Sequence, residues 1–92
     1  MEEWDRITAA LTEGVDAVHT RQRASPDDPA VHLVAELLQA ALTAAGAVTG
    51  PDHPERCFRR VLDHLRAATA ITRFGLVAEA DRRRSATTRR TT

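Results

Sequence analysis

The sequence predicts an all-α protein: three helices, the third the longest, packed as a three-helix bundle that assembles as a homodimer. Three observations lead there. Apolar residues recur at three- and four-residue steps through most of the chain. Two loops rich in Pro and Gly, "ASPDDPA" and "GAVTGPDHPE", cut it into three pieces. No segment alternates apolar and polar residues long enough to make a strand, and there is no internal repeat.

The first helix is predicted over about residues 3–23. Trp4, Ile7, Leu11, Val15 and Val18 form one stripe roughly 80° wide. Glu2 and Glu3 suit a helix N-terminus, and Arg21 and Arg23 suit a C-terminus. A stripe this narrow touches few neighbours. Pro26 and Pro29 then forbid a continuous helix.

The second helix is predicted over about residues 29–45, with Asp28 as N-cap, Pro29 at the first helical position and Gly46 as the stop. Its polar residues His32, Glu36, Gln39 and Thr43 fall on one seam of about 60°. The large apolar side chains run from Leu33 round to Leu42, an arc of about 180°, where a core-facing helix needs nearer 100°. The narrow stripe of the first helix cannot cover that excess. Left bare, it would form a patch of several hundred Å², more than soluble monomers usually expose.

The third helix is predicted over about residues 53–84, with Asp52 and Glu55 at capping-box spacing. Its first half is expected to bury Cys57, Phe58, Val61, Leu62, Leu65 and Ala68. The apolar set of the second half, Ala67, Ala70, Ile71, Phe74, Val77 and Ala78, centres about 180° away on the same wheel. Either the helix breaks near Ala67–Ala70 or each half meets a different surface. Neither Pro nor Gly sits at that junction, which favours a continuous helix with two-sided contacts. Residues 85–92 are rich in Thr and Arg and read as a disordered tail beyond a helical domain of residues 1–84.

Composition narrows the function. Ninety-two residues make one domain, and a single cysteine allows no internal disulfide. Glu36 and Gln39 interrupt the longest apolar run, so a membrane span is not expected. The acidic start "MEEWDRIT" is unlike a secretory leader, and a cytoplasmic location is the expectation. All thirteen basic residues are Arg and Ala is abundant, a bias that a high-GC bacterial genome explains. Net charge is zero, yet residues 1–81 hold all 13 acids against eight Arg, and "RRRSATTRRTT" holds five Arg and no acid. The chain is an acidic body with a basic end.

Phosphate loops, nucleophile elbows and paired-cysteine motifs are absent from the sequence, so it points to no enzyme and no cofactor. The expected function is that of a small non-catalytic interaction or accessory protein. Leu33, Leu37, Ala40, Ala44, Ile71, Phe74 and Val77 would meet a second copy or a helical protein partner. One alternative is accessory nucleic-acid binding through Arg82, Arg83, Arg84, Arg89 and Arg90, by sequence-blind phosphate contacts. Another is a metal or cofactor site in a dimeric bundle built on His32 and Glu36, four residues apart on one helix face. Cys57, among Arg56, Arg59 and Arg60 in the first turn of its helix, has the surroundings of a reactive thiol. It also has the stripe position of an inert buried one.

Overall fold

The computed structural model describes residues 2–50 and 53–91, with side chains up to Thr87. Apart from 25–28, Gly50 and His53, every described residue is helical: α1 Glu2–Ala24, α2 Pro29–Thr49 and α3 Pro54–Thr91. The fold is all-α, as the sequence predicts, and no strand occurs among the described residues.

Local chemistry sets the helix ends. Acids occupy the first turn of α1, and Arg21 and Arg23 its last, complementing the helix dipole at both ends. In the turn that follows, the Ser25 N–H donates to the Arg21 carbonyl at 2.9 Å. Asp28 caps α2, its Oδ1 accepting from the Ala30 N–H at 3.0 Å with Pro29 in the first turn. The His53 carbonyl opens α3 by accepting from Arg56 at 3.0 Å and Cys57 at 3.2 Å. The expected cap Asp52 lies outside the described residues.

Two boundaries differ from the sequence reading. Gly46 does not stop α2; the helix runs to Thr49, and Gly50 ends it by donating its N–H to the Gly46 carbonyl at 2.7 Å. A glycine stop works by taking the left-handed conformation, and none of the described glycines has positive φ. One interior Gly among strong formers costs only about 1 kcal/mol. The second difference is at the far end, where α3 continues past Ser85 to Thr91. Glu79 pairs with Arg82 at 3.5 Å and Arg83 at 3.7 Å, and Asp81 pairs with Arg84 at 3.0 Å. The Thr87 hydroxyl donates to the Arg83 carbonyl at 3.0 Å. These local bonds favour helix in a segment with no apolar anchor.

Helix α3 is also unbroken through Ala67–Ala70 and Gly75. It stays on α2 by presenting one seam at alternating four- and three-residue steps: Cys57, Val61, His64, Ala68, Ile71, Gly75 and Ala78, which with Ala67 are its least exposed positions among the described side chains. The two apolar stripes of the sequence reading flank this seam. Phe58, Leu62 and Leu65, expected to be buried, are exposed beside it.

The three helices run up, down and up. α2 packs against both neighbours, while α1 and α3 do not pack on each other. The expected bundle is therefore opened into a row with α2 in the middle. The interior is thin: Val18, Ala35, Ala40, Ala45, Cys57 and Ala68 are buried, and among the described residues no large side chain is fully enclosed. Small residues let the helices approach closely but bury little apolar area. The molecule measures 62 × 25 × 20 Å, and its radius of gyration is 17.4 Å, against about 12 Å for a compact chain of this length.

Its extra turn gives α2 21 residues, so this one helix is long and apolar enough to cross a membrane by length and composition. That departs from the expectation that no segment reaches this length. Core helices of soluble proteins meet the same criterion.

Candidate functional site

The polar seam of α2 joins the helices. His32 Nε2–H donates to the Pro26 carbonyl at 2.6 Å, and its Nδ1 accepts from Gln22 Nε2 of α1 at 2.8 Å. Gln39 Nε2 donates to His19 Nε2 of α1 at 2.8 Å. Glu36 accepts from His64 Nδ1 of α3 at 2.7 Å, both side chains being about a quarter exposed. Three of the four polar residues of this seam thus each fix a neighbour. Such bonds contribute about 1 kcal/mol apiece, and they specify register more than they add stability. His64 and His19 carry no strong sequence signal. His64 could have been found by following the heptad spacing from Cys57 without requiring apolar residues.

This network engages the candidate metal ligands. Both ring nitrogens of His32 are hydrogen-bonded within the chain, and Glu36 faces His64. No group of three or more His, Cys, Asp or Glu side chains suited to a metal occurs among the described residues. Cys57 is a buried free thiol in the α2–α3 seam. It lies about 10.5 Å along the helix from His64, too far for a nucleophile–base pair within α3.

An open groove of about 640 Å³ lies where the first turn meets α3, lined by Pro26, Asp27, Pro29, His32, Glu36, Ala70, Ile71 and Phe74. On the other flank of α3 a smaller groove of about 310 Å³ brings Leu33 of α2 together with Thr72 and Leu76. The two grooves separate the residues expected to form one self-association surface. Phe74, 65% exposed, lies with His32 and Glu36. Leu33 and Ile71 are half-buried where α2 meets α3, and Ala40 is covered within the chain. Ala44 is half-buried, while Leu37 and Val77 are exposed.

Leu37, Phe74 and Val77 of the expected partner-meeting set are exposed, and most of the other large exposed apolar side chains are ones the sequence reading did not single out as surface. Val34, Leu37 and Val48 fall with Ala41 along one exposed stripe of α2. Phe58, Leu62, Leu65 and Leu76 run along α3. Their common signal is a second heptad frame, one residue later than the seam that meets α2.

Of the arginines, Arg82, Arg83 and Arg84 have exposed side chains that share their charge with Glu79 and Asp81. The side chains of Arg89 and Arg90 lie outside the described residues, on the last turns of α3.

No family model matches the chain, and neither a curated protein nor a solved structure shows significant similarity to it. What fold and surface define is an all-α chain whose polar residues lock its own helices together and whose large apolar residues face outward.

Proposed function

We propose that this is a small non-catalytic helical interaction protein that works by pairing its apolar outer faces with a second copy of itself. The observation that carries this reading is the inversion of its apolar residues. Alanines fill the interior, while Leu37, Leu62, Leu65, Phe58 and Leu76 stand on the surface, each more than two-fifths exposed. Covering a Leu or Phe completely contributes about 1.5–3 kcal/mol, so several half-exposed ones represent a large unused driving force. The chain exposes 7115 Å², against about 5,300 Å² for a compact monomer of 10.1 kDa. Part of that excess comes from the projecting end of α3. The whole of it exceeds the ~800 Å² per partner that a standard interface buries. His19, His32, Glu36 and His64 are engaged in holding the helices.

Sedimentation equilibrium over the micromolar range tests the proposal, with a mass twice that of the chain as the expected result. Leu37→Arg places a charge on the α2 stripe. It should yield a helical monomer or an aggregate, and an unchanged mass and melting temperature would remove α2 from the interface.

A further inference from the structure

We infer that the groove between the first turn and α3 binds a small organic cation, an amine carrying an apolar body. Four residues singled out in the sequence for unrelated reasons meet there. His32 and Glu36 come from the polar seam of α2, and Ile71 and Phe74 from the second apolar stripe of α3. The groove's volume of about 640 Å³ falls within the roughly 300–1,000 Å³ of small-molecule sites. Its walls are largely apolar, formed by Pro26, Ile71 and Phe74, and the Phe74 ring is 65% exposed. No hydrogen bond or packing contact in the seam accounts for that ring. Phe74 stands about 160° round α3 from Phe58 and Leu76. A second copy covering that outer flank leaves the groove open.

The polar side-chain groups that remain unengaged in the groove are acceptors. His32 uses both ring nitrogens within the chain, on Pro26 and Gln22. Glu36 accepts from His64 with one carboxylate oxygen, and its other oxygen has no partner among the described residues. The Asp27 carboxylate has none either. Asp28 caps α2, so the positive end of that helix dipole already has its anion. No arginine lines the groove. Arg23 borders Pro26 and His32 from the α1 side, and its guanidinium donates to the Thr20 hydroxyl at 3.5 Å. Arg73, next to Phe74 in sequence, lines a separate groove with Leu62 and Leu65. An anion would therefore meet no free side-chain donor here. An ammonium group would meet two carboxylates, and the face of Phe74 attracts a cation within about 6 Å of its centre. The apolar walls would hold the rest of such a molecule.

Backbone amide shifts of the full chain, followed by NMR during titration with 2-phenylethylamine at neutral pH, test this. The amine should bind with millimolar or tighter affinity and move the amides of residues 26–36 and 70–75. Its neutral counterpart 2-phenylethanol and the anion phenylacetate should each bind at least about tenfold more weakly. The double variant Asp27→Asn, Glu36→Gln, which keeps both shapes, should weaken the amine about tenfold and leave the alcohol unchanged. Phe74→Ala, a change at an exposed position, should weaken amine and alcohol together. Circular dichroism of each variant confirms that its helices persist. Acetyl-lysine amide, which has the charge but no ring, should bind about tenfold more weakly than the amine. Equal binding of the lysine derivative would assign the groove to a protein side chain and overturn the small-molecule inference. An alcohol or phenylacetate that binds as well as the amine would also overturn it. So would amine binding that survives the double variant, or no binding at millimolar amine. None of these readouts depends on the mass of the protein in solution, so they stand apart from the test of self-association.

Discussion

Thr8 illustrates how single side chains set the margin of a thin core. Its Oγ1 is buried without a hydrogen-bond partner. The hydroxyls of Thr12, Thr20, Thr49, Thr69 and Thr72 each return to a carbonyl one turn back. A buried unpaired hydroxyl costs about 1–3 kcal/mol. Thr8→Val, which keeps the shape and removes that group, should raise unfolding stability by about 1 kcal/mol in a urea titration. Glu36 gives the opposite case. Glu36→Ala leaves His64 without its acceptor and should cost about 1–2 kcal/mol. Glu36→Gln keeps an acceptor at the same reach and should cost less than half of that; equal losses would mean that the bond contributes nothing specific. The sequence displayed the polar seam but not its partners. His19, Gln22 and His64 are distant in sequence from the residues they meet, and only the packing of helices brings them together.

Helix number and order were legible because prolines and short polar loops punctuate the chain where the helices end. The glycines were less so, since one residue type serves two roles four positions apart. A Cβ on Gly46 would meet no other atom within 4 Å, whereas one on Gly50 would lie 2.7 Å from the Gly46 carbonyl oxygen. Gly46→Ala should therefore stabilise the protein by about 0.5–1 kcal/mol through helix propensity. Gly50→Ala should destabilise it and fray the end of α2. Thermal melts followed by circular dichroism would show the opposite signs, and two stabilising changes would contradict this C-terminal cap. The faces of α3 were misread for a related reason. Its inner seam includes His64, Ala68 and Gly75, so a search by side-chain size finds the flanks. The bulkiest residues mark the surface here, and the smallest mark the contact.

At the scale of the whole molecule, folding and association should be coupled. If a second copy supplies the cover that the alanine interior lacks, melting temperature will rise by a few degrees for each tenfold increase in protein concentration. Differential scanning calorimetry at two concentrations would detect this, and coincident melts would indicate a self-sufficient monomer. The excess apolar surface was visible in the sequence as an arc too wide for the available neighbours. Of the residues that carry it, Leu37, Phe74 and Val77 were legible and Phe58, Leu62 and Leu65 were not, because their exposure depends on α1 and α3 flanking α2 without meeting. The resulting rod is 62 Å long, about twice the diameter of a sphere of the same chain length. It tumbles slowly and passes through a sizing column ahead of globular standards, so even a lone chain would elute as though it were a pair.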